Sequence, residues 1–130
     1  KYDKLTCLVV DDYSTARRII KNNLHELGFT CLEAEDGEDA LGIILQTPLN
    51  LVLADVKMPN KNGLELLEDI RDDENLKDLP VILTMIEPLD ELISTGRELG
   101  MNDYLIKPFD VFSLAKVLDK VIVTEGGESL

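Results

Sequence analysis

Five short apolar runs, each followed by a stretch with helical spacing, constrain the fold of this chain more than any other feature. Consecutive apolar residues are typical of strands buried on both faces, whereas helices show apolar residues with a period near 3.6. The runs therefore predict five strands that are covered by helices. These strands are Leu5–Val10, Thr30–Ala34, Leu51–Ala54, Val81–Leu83 and Tyr104–Ile106.

Helical spacing follows each predicted strand, and Gly or Pro marks several ends. Asp36-Gly37 is predicted to form a turn before the second helix. The predicted helices are Ser14–Leu27, Glu38–Gln46, a segment opened by Gly63, the segment Leu89–Leu99 and Val111–Val123. Parallel strands joined by crossover helices give an α/β fold with a doubly wound five-stranded parallel sheet.

Charged residues stand directly after three of the predicted strands. Asp11-Asp12 follows the first strand, Asp55 follows the third, and Lys107 follows the fifth. Because parallel strands end at one edge of the sheet, these side chains are expected to converge there, where open α/β sheets bind ligands. Carboxylates held together repel one another, and an all-oxygen donor set with few protein ligands favours Mg²⁺.

Composition excludes several other functions. The net charge of -13 argues against direct nucleic-acid binding, which needs clustered basic residues. No apolar run approaches the length of a membrane span, so a single cytoplasmic domain without a membrane partner is expected. Cys7 and Cys31 are predicted to be free thiols, and the single His25 lies within a predicted helix, which disfavours a zinc site.

A carboxylate beside Mg²⁺ can act as a nucleophile toward a phosphoryl group, and an ammonium can stabilise the charge on the phosphoryl oxygens. Asp55 and Lys107 are the candidates for these two roles. Two carboxylates after the first strand disfavour a flavin phosphate site. An aspartate-based phosphatase is disfavoured because Lys57 stands where such enzymes carry a second aspartate.

Four stretches together resemble the response-regulator receiver domain, especially its single-domain chemotaxis type. They are residues 8–15, which contain Asp11-Asp12, residues 34–37, residues 58–67 and residues 104–109, which contain Lys107-Pro108. The resemblance spans essentially the whole chain. It implies the flavodoxin-like strand order 2-1-3-4-5, with residues 1–123 as the receiver domain. Residues 124–130 are polar and rich in Gly, and their composition predicts a C-terminal tail that is open to disorder.

The resemblance also implies roles for individual residues. Asp55 is expected to accept the phosphoryl group, with Asp12 as a direct ligand of Mg²⁺ and Asp11 as a water-mediated one. The backbone carbonyl of Lys57 is expected to complete the protein ligands. Lys107 is expected to pair with the phosphoryl group, and a cis bond is expected before Pro108.

Signalling is expected to involve Tyr104, on a face made by the fourth helix, the fifth strand and the fifth helix. The family places a Thr or Ser and then a small residue at the end of the fourth strand. Thr84 is the preferred candidate because a hydroxyl is useful there, but a count without gaps places Met85 at that position and Ile86 after it. In both alignments a bulky side chain replaces the usual small one.

The resemblance implies a response regulator of two-component signalling that catalyses its own phosphoryl transfer and dephosphorylation. A sensor histidine kinase or phosphotransfer protein is the expected donor, and a downstream effector, such as a motor switch, is the expected target. Two alternatives stay open. The first is an interaction module that keeps the fold but does not respond to phosphorylation. The second is a receiver domain that belongs to a larger regulator.

Overall fold

A computed structural model describes residues 2–122, and within them five strands alternate strictly with five helices. This alternation confirms the predicted α/β architecture. In chain order the elements are β1 (Thr6–Val10), α1 (Ser14–Glu26), β2 (Thr30–Ala34), α2 (Gly37–Gln46), β3 (Leu51–Asp55), α3 (Gly63–Asp72), β4 (Val81–Met85), α4 (Asp90–Leu99), β5 (Asp103–Ile106) and α5 (Val111–Val121). The predicted tail, residues 124–130, lies outside the described residues.

All five strands are parallel and lie in the order β2-β1-β3-β4-β5, as the family resemblance implied. The chain adds β2 on one side of β1 and then returns to add β3 on the other side. The direction of winding therefore reverses between β1 and β3, and a crevice opens at the carboxyl ends of these two strands. Asp11 and Asp55 lie at this crevice.

Strand alternation divides the apolar side chains between two cores. On β1, Cys7 and Val9 contact the core that contains α1 and α5, whereas Leu8 and Val10 contact the core beneath α2, α3 and α4. Both faces of the sheet are therefore covered, and this explains why β1, β3 and β4 consist mostly of consecutive apolar residues.

Polar side chains cap the N-termini of three helices. The cap of α2 shows that the predicted turn at Asp36-Gly37 was wrong. Asp36 and Gly37 do not form an isolated turn, because Gly37 is already helical and the Asp36 side chain accepts a hydrogen bond from the Asp39 N–H at 2.9 Å. Asp110 caps α5 in the same way, and Asn62 forms a capping box with Glu65 at the start of α3.

Three strands are longer than the sequence predicted: β5 begins one residue earlier, at Asp103, and β3 and β4 extend further at the carboxyl edge. β3 includes Asp55 as its last residue, and β4 continues through Thr84 and Met85. Pairing with neighbouring strands explains both extensions, because the Val56 N–H donates to the Thr84 carbonyl at 3.0 Å and the Lys107 N–H donates to the Met85 carbonyl at 2.8 Å. The edge is thus held by regular backbone pairing.

Candidate functional site

Three aspartates converge at the carboxyl edge of the sheet, as their positions after β1 and β3 predicted. One carboxylate oxygen from each of Asp11, Asp12 and Asp55 lies within 4.8 Å of the others. Asp11 and Asp55 are buried, whereas Asp12 is exposed at the mouth of the crevice. Within residues 2–122, this is the only group of acidic, histidine or cysteine side chains that meets the geometry for holding a metal ion.

Lys107 reaches the same cluster from β5, across the width of β4. Its ammonium nitrogen Nζ lies 2.8 Å from Asp55 Oδ2 and 3.1 Å from Asp11 Oδ2. The sheet order brings these groups together although they are far apart in the chain. Three carboxylates and one ammonium leave two net negative charges, which matches the charge of a divalent cation.

Burial and ion pairing both change the pKa values in this cluster. Burial raises the pKa of Asp55 above its ordinary value, and the hydrogen bond from Lys107 offsets part of that increase. Burial acts against the charged form of Lys107, but the hydrogen bonds to Asp55 and Asp11 outweigh it and raise the pKa of the ammonium. Lys107 is therefore a permanent positive charge at neutral pH.

Backbone groups orient the two buried carboxylates. The Tyr13 N–H donates to Asp11 Oδ1 at 2.9 Å, and the Lys57 N–H donates to Asp55 Oδ1 at 3.3 Å. Gly63 lets α3 approach β3 closely, because a Cβ atom at this position would lie 2.4 Å from the Asp55 carbonyl oxygen. The Asp55 carboxylate thus has a defined orientation.

Arg17 supports the site although its basic pair with Arg18 is typical of a solvated helix face. Its guanidinium donates to the Asp11 carbonyl at 2.6 Å and to Glu33 Oε1 at 3.1 Å. Glu33 also accepts from Lys21 Nζ at 2.8 Å, and these bonds, that from Lys21 foremost, lower its pKa. The sequence carried no signal for these contacts, since they depend on how α1 lies over the ends of β1 and β2.

The end of β4 carries the two candidates for the hydroxyl position. Met85 is buried in the same core that Tyr104 packs against, whereas strand alternation places Thr84 on the opposite face, next to Asp55 in the register. Thr84 and Tyr104 therefore lie on opposite faces of the sheet. Which of Thr84 and Met85 occupies the position where the family carries a hydroxyl stays a prediction.

Tyr104 is half-buried on β5, and an arginine that the sequence analysis did not single out lies against it. The Arg97 guanidinium carbon is 5.8 Å from the centre of the Tyr104 ring, which is within the range of a cation-π contact. The partner comes from α4, seven residues earlier, so only the packing of α4 on β5 reveals it.

The peptide bond before Pro108 is cis, in agreement with the expectation from the resemblance.

The remaining residues singled out by the sequence lie away from the site. Cys7 is buried and Cys31 is half-buried, and both are free thiols as predicted. His25 is exposed in the last turn of α1. Among residues 2–122 no helix is both long and apolar enough to cross a membrane.

The doubly wound parallel sheet and the acidic cluster at its switch point define an α/β domain with three carboxylates gathered at the carboxyl edge. The chain belongs to the response regulator receiver domain family, whose family model matches residues 7–119. It is 44% identical over 115 residues to chemotaxis protein CheY-3 of Vibrio cholerae, and the match covers 88% of each chain.

Two further comparisons agree with this assignment. The chain is 40% identical over 121 residues to chemotaxis protein CheY of Pseudomonas aeruginosa, a match that covers 92% of this chain and 98% of that protein. Among solved structures, the chemotaxis protein CheY4 of Vibrio cholerae superimposes with a TM-score of 0.86 and 28% identity, covering 91% of this chain and 98% of the other. Fold and sequence thus identify a receiver domain similar to chemotaxis proteins.

Proposed function

We propose that this protein is a phosphoacceptor response regulator in which Asp55 accepts a phosphoryl group from a phosphohistidine. The observation that carries the proposal is the 2.8 Å contact between Asp55 Oδ2 and Lys107 Nζ in a buried acidic crevice. A carboxylate that is oriented at one oxygen by the Lys57 N–H and paired at the other with an ammonium is suited to nucleophilic attack.

The donor set fits Mg²⁺. Asp11, Asp12 and Asp55 provide only oxygen atoms, and the backbone carbonyl of Lys57 is proposed as a fourth protein oxygen. Few protein ligands leave room for the water molecules that Mg²⁺ retains. When bound, the ion neutralises charge on the phosphoryl oxygens and reduces the repulsion between the carboxylates.

The protein residues carry the transfer itself. A carboxylate oxygen of Asp55 forms a bond to phosphorus while the bond from phosphorus to the donor histidine nitrogen breaks, and the histidine leaves with the bonding electron pair. Lys107 stabilises the phosphoryl oxygens as their charge changes during the transfer. Hydrolysis of the aspartyl phosphate, in which water attacks the phosphorus, returns the free carboxylate and ends the signal.

Phosphorylation adds about 1.5 to 2 negative charges next to Lys107, and this charge is proposed to change the surface formed by α4, β5 and α5. Tyr104 and Arg97 lie on that surface. A cytoplasmic histidine kinase or phosphotransfer protein is the proposed donor, and a downstream protein that binds this surface is the proposed target. The similarity to chemotaxis proteins supports both assignments.

Met85 favours a second candidate function, an interaction module that does not depend on phosphorylation. A thioether cannot donate a hydrogen bond to a phosphoryl oxygen, so the link between Asp55 and Tyr104 lacks the usual hydroxyl. The intact group of Asp11, Asp12, Asp55 and Lys107 supports the first candidate more strongly, because three carboxylates within 4.8 Å of one another repel and together attract a cation.

The test is the intact mass of the protein after exposure to a small acyl phosphate with and without Mg²⁺. We expect a mass increase of about 80 Da, one phosphoryl group on one carboxylate, only when Mg²⁺ is present. Asp55→Asn should abolish the increase, and Asp72→Asn, at an exposed position in α3, should leave it intact. Labelling that persists in Asp55→Asn excludes Asp55 as the acceptor, and no labelling of the unmodified protein supports the interaction module.

A further inference from the structure

The loop between β3 and α3 is fastened in its middle to the start of α2. The Gly37 N–H donates to the Lys61 carbonyl at 2.8 Å, and Asn60 Nδ2 donates to Asp36 Oδ2 at 2.7 Å. There is no free space at this contact, because a Cβ atom on Gly37 would lie 2.5 Å from the Lys61 carbonyl oxygen. We call these four residues, Asp36, Gly37, Asn60 and Lys61, the loop clamp.

Asp36 is a rigid anchor because each of its carboxylate oxygens has its own partner. Oδ1 caps α2 by accepting from the Asp39 N–H at 2.9 Å, while Oδ2 accepts from Asn60. The bond from Asp39 and then the bond from Asn60 lower the pKa of Asp36, so the carboxylate is charged at neutral pH. The helix cap therefore fixes the direction in which the carboxylate meets the loop.

Asn60 has a left-handed backbone conformation, with φ at 65°. This conformation is unfavourable for most residues but is accessible to Asn and Gly. The side-chain bond to Asp36 holds the residue in it, so that the loop folds back on α2. The Lys61 side chain adds an ion pair with Asp69 on α3.

The two ends of this loop connect the clamp to the acidic site. One end is Lys57, whose N–H donates to Asp55 Oδ1, and the other is Asn62, which caps α3. The bond at Lys57 is made by its N–H, so the position of its carbonyl depends on the loop residues that follow it, which the clamp holds. Lys57 itself is exposed, and no side-chain hydrogen bond of Lys57 was found within residues 2–122.

We propose that Asp36 and Asn60 are positioning residues that set the affinity of the acidic site for Mg²⁺ by holding the loop that carries the Lys57 carbonyl. The proposal rests on the proposed function, in which this carbonyl is a ligand. Mg²⁺ demands nearly ideal octahedral geometry, so a loop that is free to move lowers affinity even when every carboxylate is intact.

Two variants remove the hydrogen bond between Asp36 and Asn60 while keeping the local backbone conformation and the cap of α2. Asn60→Gly keeps the left-handed backbone and removes only the amide that bonds to Asp36. Asp36→Ser keeps a side chain that caps α2 and removes the oxygen that bonds to Asn60. Asp110→Ser is the matched control, because it makes the same cap replacement and the same charge change at the start of α5.

The experiment measures Mg²⁺ affinity by isothermal titration calorimetry and the exchange rate of the Gly37 amide proton by NMR in the metal-free protein. We expect Asn60→Gly and Asp36→Ser each to weaken Mg²⁺ binding by about tenfold or more, the loss typical of outer-shell partners. Both should also speed exchange at Gly37, while Asp110→Ser should retain the affinity and exchange rate of the unmodified protein.

Unchanged Mg²⁺ affinity in both clamp variants overturns the inference and leaves the proposed function standing. An equal loss of affinity in Asp110→Ser also overturns it, because the loss then reflects net charge and not the loop. If the unmodified protein does not bind Mg²⁺, the proposed function fails first, and the inference fails with it.

Discussion

Replacing Lys107 with Met tests how far one ammonium stabilises the acidic site in the absence of a cation. Lys107 Nζ lies 2.8 Å from Asp55 Oδ2 and 3.1 Å from Asp11 Oδ2, and only 14% of the lysine side chain is exposed. Methionine preserves most of the aliphatic stem, so the change removes the charge with little loss of packing.

The expected loss in the free energy of unfolding follows from two opposing contributions, the attraction between the charges and the cost of burying them. At an effective dielectric constant of about 20, each contact corresponds to an attraction of about 5 to 6 kcal/mol, and the cost of burying the charges cancels much of it. Removing one partner of a fully buried pair costs about 3 to 5 kcal/mol. Because this cluster lies at the edge of the sheet, where water can replace the ammonium, we expect Lys107→Met to lose about 2 to 3 kcal/mol.

The assay is urea unfolding followed by far-ultraviolet circular dichroism, since the chain has no tryptophan. The expected loss lowers the unfolding midpoint by about 1 to 2 M urea. Mg²⁺ should restore much of it, because the variant leaves three negative charges to attract the cation instead of two. Lys77→Met, which removes an exposed lysine paired with Glu74, is the control and should change stability by less than about 0.5 kcal/mol.

The reasoning is refuted if metal-free Lys107→Met is as stable as the unmodified protein. It is also refuted if excess Mg²⁺ stabilises the variant no more than the unmodified protein. The first result would show that the two ion pairs of Lys107 contribute no net stability, and the second that the ammonium does not oppose Mg²⁺ binding.

Four other substitutions probe metal binding, signalling and pH dependence. Asp12→Ala should weaken Mg²⁺ binding by more than about a hundredfold, beyond the loss typical of outer-shell partners, and titration calorimetry will measure it. Its metal-free stability should be unchanged or slightly higher because one repelling carboxylate is gone, and a large loss of stability would instead indicate a structural role. Met85→Thr should strengthen the response of Tyr104 to activation by about 1 kcal/mol, measured by side-chain NMR with Mg²⁺ and with Mg²⁺-beryllofluoride. Thr84→Ala should lower stability by about 1 kcal/mol and leave that response unchanged, and a lost response would restore Thr84 as the switch residue. Glu33→Gln should cost about 0.5 kcal/mol at neutral pH in thermal unfolding experiments. The folded pKa of Glu33 is lowered, so its contribution is present above the ordinary glutamate pKa and lost as the pH falls through the folded value. A difference from the unmodified protein that persists in strong acid would contradict this linkage.

The sequence was sufficient for features that depend on neighbouring residues along the chain. Apolar runs such as Leu51–Ala54 have no helical gaps and are typical of buried strands, and β2 was predicted with its observed limits. The positions of Asp11 and Lys107 after strands predicted their convergence, because parallel strands end at one edge. Strand order came from the family resemblance and not from the alternation itself.

Tertiary structure alone decided which face each side chain of β4 occupies and which loops contact one another. Thr84 and Met85 are adjacent in the chain, and only the register of β4 against β3 and β5 shows that Met85 shares a core with Tyr104. A one-residue change in register exchanges the two faces of a strand, and local sequence does not determine that register when both neighbours are buried.

The contacts of Arg17, Arg97 and the loop clamp likewise could not be predicted from the sequence. Each joins residues on different elements, such as Asn60 with Asp36, and forms only when the helices have docked on the sheet. Residue type and spacing therefore determined the chemistry available at the carboxyl edge of this sheet. The packing of helices and loops around that edge determined how the chemistry is oriented, because orientation depends on distances that exist only in the folded chain.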